Sequence, residues 1–224
     1  MSTDFAKQRA GMVDGQLRTT DVTDSALLSV MGTVPRELFV AEAHRPLAYI
    51  DEDLEITPAD DRGSARYLME PSPFARLVQL ANVRPGDRVL DVGCGTGYSA
   101  AVFSALAGSV VAVESDAELL ARAHANFATL GVGNVTLVEG ALRDGWGGNA
   151  PYDVIFLGGA VEDVPAALAA QIAEGGRLVA VVGHGNAAAA RLYVRDQGDV
   201  TGRRVFNAAV KPLPGFEKEA VFEF

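Results

Sequence analysis

The 224-residue sequence has one cysteine, three histidines and one tryptophan, and it is short of positive charge, with 19 Lys and Arg against 29 Asp and Glu. Each shortage removes a class of function. The lone Cys94 has no partner for an internal disulfide and cannot build a multi-cysteine zinc site, so it reads as a small residue filling a tight loop. His44, His124 and His184 are far apart and lack neighbours at ligand spacing, so no metal site is expected. A formal net charge of −10 with no basic cluster leaves nothing to displace counterions from a nucleic-acid backbone, and the same deficit argues against anionic membranes. No apolar run approaches the roughly eighteen residues of a membrane-spanning helix. The opening MSTDFAKQRAG carries charge with no hydrophobic region behind it. Neither a secretory leader nor a membrane span is therefore expected, and a cytoplasmic location follows.

What the chain does have is apolar content, 49% of its residues, enough to build one large domain around a substantial core. Its organising stretch is Val89 to Tyr98, VLDVGCGTGY. Val89, Leu90 and Val92 form a short strand-like run, after which Gly93, Gly95 and Gly97 alternate with Cys94 and Thr96. That density of glycine marks a backbone that something approaches closely. Ser99 to Ala107, with Val102, Phe103 and Leu106 on one face, reads as a helix whose free N-terminal amides point back at the loop. Strand, glycine turn and helix make a nucleotide-type site.

The spacing narrows the ligand. A dinucleotide fingerprint needs glycine where Tyr98 stands, and a phosphate-cradling loop needs a lysine followed by Ser or Thr after the glycines. Asp91, two residues before the first glycine, would repel a pyrophosphate but suits a cationic amino-acid moiety. The next β-branched run, Ser109 to Val113, ends in Glu114, whose carboxylate can accept from two neighbouring ribose hydroxyls. Ser115 and Glu118 form an S-x-x-E capping box, so a helix is expected to start at once and run to about Leu130.

On these residues the sequence resembles the class I S-adenosylmethionine-dependent methyltransferases. More narrowly it is similar to the protein-L-isoaspartate O-methyltransferase family, through VPRELFV (Val34 to Val40), VLDVGCGTGYSAAV (Val89 to Val102), DGW (Asp144 to Trp146), APYDVI (Ala150 to Ile155) and QIAEGGRLV (Gln171 to Val179). The glycine loop is shared across the superfamily; VPRELFV and GGRLV are more particular. The resemblance implies an α/β, Rossmann-like doubly wound sheet, mostly parallel, closed by antiparallel C-terminal strands and carrying an N-terminal helical cap. It implies S-adenosyl-L-methionine as cofactor and a protein or peptide as substrate. The expected cofactor contacts are Leu68, Asp91, Gly93, Cys94, Gly95, Gly97, Tyr98, Glu114, Ser115, Ala141, Leu142 and Gly158.

Along the chain, Thr3 to Leu17 and Asp24 to Met31 read as two helices, the second capped by Thr23 or Asp24. They lie too far before the first cofactor strand to join its alternation, so they should pack as a cap over one edge. The expected organisation is a single domain, with the cap and an acidic loop over 1–72 and the cofactor-binding core over 73–224. The loop holds Asp51, Glu52, Asp53, Glu55, Asp60 and Asp61, six carboxylates that would disfavour an anionic substrate. A helix over Phe74 to Leu80 follows Ser72 and Pro73.

Strands are expected at Asn134 to Glu139, Tyr152 to Leu157, Arg177 to Val182, Arg191 to Arg195, Arg203 to Val210 and Ala220 to Phe224, with a helix over Val164 to Ile172 ended by Gly175 and Gly176. Gly158 and Gly159 should leave room for a ligand at the carboxyl edge, and Trp146 should close its loop over the core.

Two positions depart from the family. Its T-I-S-x-P motif corresponds to Tyr67, Leu68, Met69, Glu70 and Pro71, so Met69 stands where a serine would touch the substrate carboxylate, and a thioether cannot donate a hydrogen bond. Ala141 replaces an aspartate that would accept from the adenine amino group, leaving Leu142 to pack on the ring. No catalytic residue is assigned, because a carboxylate acceptor with a pKa near 4 is already ionised at neutral pH and needs no base. Three functions fit: an isoaspartyl-type carboxyl methyltransferase, a related methyltransferase with another acceptor, and a cofactor-binding sensor or scaffold without turnover.

Overall fold

The computed structural model describes residues 4–59 and 64–217. The chain opens with α1 (Phe5–Met12), capped by Asp4, whose side chain accepts from the Lys7 amide at 3.1 Å. The helix does not simply run on to Leu17 as the periodicity suggested. It widens into a π turn over Val13–Leu17 and then tightens into a 3-10 turn over Arg18–Thr20. There the Thr19 and Thr20 hydroxyls bond the Gly15, Gln16 and Leu17 carbonyls, competing with the backbone ladder. Asp24 caps α2 (Ser25–Met31) by accepting from the Ala26 and Leu27 amides.

The acidic stretch contains one short strand, β1 (Leu54–Thr57), paired antiparallel with β2 (Arg66–Leu68). Asp60 and Asp61 lie outside the described residues. Two of the other carboxylates are structural. Asp51 accepts from the Ser72 amide and hydroxyl at 2.9 and 2.6 Å, and Asp53 accepts from the Glu70 amide at 3.0 Å. Both therefore serve the amino end of α3 (Pro71–Ala81), whose orphan donors and dipole favour anions.

The core alternates from there: β3 (Arg88–Val92), α4 (Tyr98–Leu106), β4 (Ser109–Glu114), α5 (Ala117–Leu130), β5 (Val135–Glu139), β6 (Tyr152–Val161), α6 (Ala166–Ala170), β7 (Ile172–Val182), β8 (Ala189–Asp196) and β9 (Asp199–Asn207). The seven-stranded sheet has the order β5-β4-β3-β6-β7-β8-β9. The first five strands in that order are parallel, and β8 and β9 close the sheet antiparallel. The doubly wound architecture is thus the one the sequence implied. The expected strand at Ala220 to Phe224 lies outside the described residues. One apolar cluster joins the cap, α3 and α4 to one face of the sheet, and a second fills the opposite face under α6. Among the described residues no helix is long and apolar enough to cross a membrane.

Several boundaries differ: the strand expected over Arg203 to Val210 is β9, which starts at Asp199 and ends at Asn207. The cap of α5 is Asp116, which accepts from the Glu118 and Leu119 amides, rather than Ser115. The helix expected over Val164 to Ile172 shrinks to α6, because the Tyr152 amide bonds Gln171 O at 2.8 Å and draws Ile172 into pairing with Tyr152. Gly175 and Gly176 consequently sit inside β7 and do not end a helix.

β6 runs four residues past Leu157, with a register shift against β7 between Phe156 and Ala160. Beyond the shift, the Ala160 amide bonds Lys211 O at 2.9 Å and the Leu213 amide bonds Ala160 O at 2.8 Å, pinning the segment after β9 against the sheet.

Candidate active site

The chain winds outward from β3 in one direction through β4 and β5, and in the other through β6 and β7. The switch point therefore lies between β3 and β6, and a crevice at their carboxyl ends is where such sheets bind ligands. A narrow cleft opens there, lined by Ile56, Tyr67, Leu68, Met69, Phe74, Gly93, Cys94, Gly95, Thr96, Tyr98, Ser99, Phe156 and Gly158. Of the expected contacts it gathers Leu68, Gly93, Cys94, Gly95, Tyr98 and Gly158, with Met69 beside them, whereas Asp91 and Glu114 are buried behind the lining.

The glycines are required, though not all by a ligand. Gly93, Gly95 and Gly97 have φ of 79°, 56° and 95°, backbone that other residues rarely adopt. A Cβ on Gly97 would meet the Phe127 ring at 2.8 Å, so this glycine seats α5 against the loop and does not line the cleft. Gly158 is likewise tight: its Cβ would stand 2.7 Å from Gly93 O. The backbones of the two switch-point strands touch at that point, so Gly158 closes the crevice floor where the sequence suggested open room.

Asp91 is fully buried at the end of β3. Its Oδ2 accepts from the Ser99 hydroxyl at 2.6 Å, while Oδ1 has no partner among the described residues. Burial, and secondarily the Glu114 charge, push its pKa up to about 7. Cys94 is held well above the ordinary thiol range, first by burial and then by the Asp91 and Glu114 carboxylates, which suits packing and not nucleophilic chemistry.

Glu114, also fully buried, accepts from the Gly95 amide at 2.8 Å, the Ser115 amide at 2.8 Å and the Asp116 amide at 3.2 Å. Arg66 closes on the same carboxylate with a two-pronged contact, Nη1 to Oε1 at 2.5 Å and Nη2 to Oε2 at 2.7 Å. Ser115 thus buttresses Glu114 and does not line the cleft. Ala141 and Leu142 are also absent from the lining; Ala141 is exposed and Leu142 is buried in the second apolar cluster. Trp146 is half-buried against that cluster, with its backbone held by Gln171 and Tyr152, as a loop-closing residue should be.

Sequence reading missed Arg36 and Arg66. Arg36, inside VPRELFV, is completely buried. It donates to Ala48 O and Met69 O, both at 2.7 Å, and stacks 4.9 Å from the centroid of the Tyr98 ring. It thereby ties the cap to position 69 and to the first residue of α4. Phe39 and Phe74 pack on Tyr98 with centroids 5.4 and 5.5 Å away, completing an aromatic wall. A charged residue enclosed by an apolar motif was the available signal for Arg36; nothing comparable marked Arg66.

A second, smaller cavity adjoins the first and is lined by Asp53, Arg66, Tyr67, Met69, Gly158 and Val210 to Leu213. Tyr67, Met69 and Gly158 belong to both, so they mark the junction. Among the described residues no group of His, Cys, Asp and Glu could hold a metal ion.

The features of this chain recur in known proteins. A family model for protein-L-isoaspartate(D-aspartate) O-methyltransferase matches residues 8–217. A protein-L-isoaspartate O-methyltransferase of Koribacter versatilis is 39% identical over 213 residues, 95% of this chain and 93% of that protein. Protein-L-isoaspartate O-methyltransferase 1 of Rhodopseudomonas palustris is 37% identical over 218 residues, 96% of this chain and 86% of its own. A solved protein-L-isoaspartate O-methyltransferase superposes with a TM-score of 0.79 at 28% identity, covering 92% of this chain and 66% of that one. A Plasmodium falciparum structure, determined with S-adenosyl-L-homocysteine, shares the fold with a TM-score of 0.76 at 19% identity, over 94% of this chain and 98% of that one. The chain belongs to the protein-L-isoaspartate(D-aspartate) O-methyltransferase family.

Proposed function

We propose that this protein methylates the carboxyl group of isoaspartyl residues in proteins or peptides, with the acceptor in the cavity behind Met69 and the cofactor in the cleft over the glycine loop. As a member of its family it is an S-adenosylmethionine-dependent protein carboxyl methyltransferase. The observation that carries the cofactor assignment is the buried Asp91 carboxylate near the carboxyl end of β3, one oxygen of which has no partner among the described residues. A buried acceptor without a partner is costly, and a cationic ammonium would satisfy it. Glu114 supplies the acceptor for the ribose hydroxyls, the Gly93 to Thr96 backbone bounds the cleft, and Leu68 with the aromatic wall supplies apolar cover. When bound, the cofactor contributes an electrophilic methyl group on a sulfonium.

The protein's own part is placement. In-line displacement needs the nucleophile close and aligned, and the junction at Tyr67, Met69 and Gly158 is where the two cavities meet. Arg36 fixes the Met69 carbonyl, so the wall between cofactor and acceptor is anchored to the cap. The acceptor carboxylate is ionised at neutral pH and needs no general base. In this reading residues 1–72 cover the cleft and 73–224 hold the cofactor. The negative charge of the chain supports a peptide and not a nucleic acid as partner, and a cytoplasmic location belongs to the same reading.

Met69 favours one alternative, an acceptor less polar than an isoaspartyl carboxylate. Calorimetric titration with S-adenosyl-L-homocysteine, followed by methyl transfer to matched isoaspartyl and aspartyl peptides, tests both. Transfer to the isoaspartyl peptide supports the proposal; cofactor binding with transfer only to another acceptor supports the alternative.

A further inference from the structure

Arg66 touches both halves of the site. Its guanidinium forms the two-pronged contact with Glu114, and the same residue lines the acceptor cavity with Asp53, Tyr67, Met69 and Lys211. A carboxylate offers about four acceptor positions. Those of Glu114 are taken by the Gly95, Ser115 and Asp116 amides and by both prongs of Arg66. A ribose diol therefore needs a donor to leave. The three amides are fixed by the glycine loop and the start of α5, whereas Arg66 is a long side chain on a three-residue strand.

The acceptor cavity has the opposite need. Met69 cannot donate a hydrogen bond, and Lys211, whose ammonium stands 5.2 Å from the centroid of the Tyr67 ring, brings a point charge without a fork. An acidic acceptor meets a two-pronged cation there only if Arg66 supplies it.

We propose that Arg66 is the acceptor-carboxylate recognition residue of this enzyme and that cofactor binding releases it for that role: the ribose hydroxyls displace it from Glu114, and its guanidinium turns into the acceptor cavity. The device replaces the missing hydroxyl at position 69 with a two-pronged cation and makes the cofactor bind first. It rests on the assignment of Glu114 to the ribose.

Calorimetry on the full chain reads the coupling without turnover, using S-adenosyl-L-homocysteine and an isoaspartyl peptide, separately and together. In the wild type, S-adenosyl-L-homocysteine should raise peptide affinity about tenfold or more, within the usual range of coupling between sites. In Arg66→Gln the same ligand should bind about tenfold tighter than in the wild type, because no ion pair opposes it, while the coupling falls to near one. Arg66→Lys retains charge without the fork, so it should also bind S-adenosyl-L-homocysteine more tightly and keep part of the coupling. If the Gln variant does not fold, the Lys variant decides.

Unchanged coupling in a folded Arg66 variant, or weaker binding of S-adenosyl-L-homocysteine, would overturn the proposal. A wild type that binds S-adenosyl-L-homocysteine without any coupling removes this proposal alone. A wild type that does not bind it removes the cofactor assignment and this proposal together.

Discussion

Asp91→Asn separates the cost of the cofactor site from its use. Asp91 has its pKa raised from 3.8 to about 7, chiefly by burial. Between about pH 4 and 7 the unfolded chain has released a proton that the folded chain keeps, so stability falls as pH rises through that window and is level above it. The difference corresponds to about 4 kcal/mol at most, at 1.36 kcal/mol for each pH unit. Asparagine is nearly isosteric, can still accept from Ser99, and carries no charge to desolvate. At pH 8 the variant should therefore unfold at a higher temperature than the wild type. If about 2 kcal/mol of the cost is recovered, the rise is roughly 4–8 °C for a chain of this size. Near pH 4.5 the difference should shrink towards zero, because wild-type Asp91 is then protonated as well. The same variant should lose about 1.5–3 kcal/mol of S-adenosyl-L-homocysteine affinity at pH 8, the worth of a hydrogen bond to a charged group. Differential scanning calorimetry at the two pH values and titration calorimetry at pH 8 measure both. Equal stabilisation at pH 4.5 and 8, or undiminished affinity, would refute the reasoning.

Other substitutions test neighbouring parts. Glu114→Gln keeps the shape but loses the charge and one acceptor, so S-adenosyl-L-homocysteine should bind about 1.5–3 kcal/mol more weakly by titration calorimetry; Glu114→Ala is a poorer test, because it also strands the buried Arg66 guanidinium. Met69→Ser should raise kcat/KM on an isoaspartyl peptide about tenfold by supplying a charge-assisted donor. The same change empties a buried site and should cost about 2–4 kcal/mol in chemical denaturation. Arg36→Met leaves the Ala48 and Met69 carbonyls without their buried donor and should destabilise the fold by about 3 kcal/mol or more, with weaker cofactor binding as position 69 loosens.

The parts of the structure legible in the sequence are those written locally. Apolar runs ending in Asp91 and Glu114, with alternating glycines between them, specify strand, loop and helix within a few residues, and the structure buries the two carboxylates towards the carboxyl ends of β3 and β4. Gly131, at φ 68°, ends α5 where the apolar pattern stops. What stayed hidden depends on distant partners. Arg66 meets Glu114 across 48 residues, from a strand too short to show a period. Asp51 and Asp53 read as part of a charge run because the helix end they satisfy lies some twenty residues on, beyond any local capping pattern. Ser115 fitted a capping box, but its amide is committed to Glu114 and the turn passes the role to Asp116. The alanines after Val164 suggested a full helix, and sheet pairing at Ile172 prevailed over that local preference.

The most direct measurement of the central claim is methyl transfer itself. The wild-type protein is incubated with methyl-labelled S-adenosyl-L-methionine and a pair of peptides identical except for one isoaspartyl or aspartyl linkage, and base-labile label is counted in each. The account predicts label on the isoaspartyl peptide, released as methanol in base, and little on its aspartyl twin. Tight binding of S-adenosyl-L-homocysteine together with no label on the isoaspartyl peptide would contradict it.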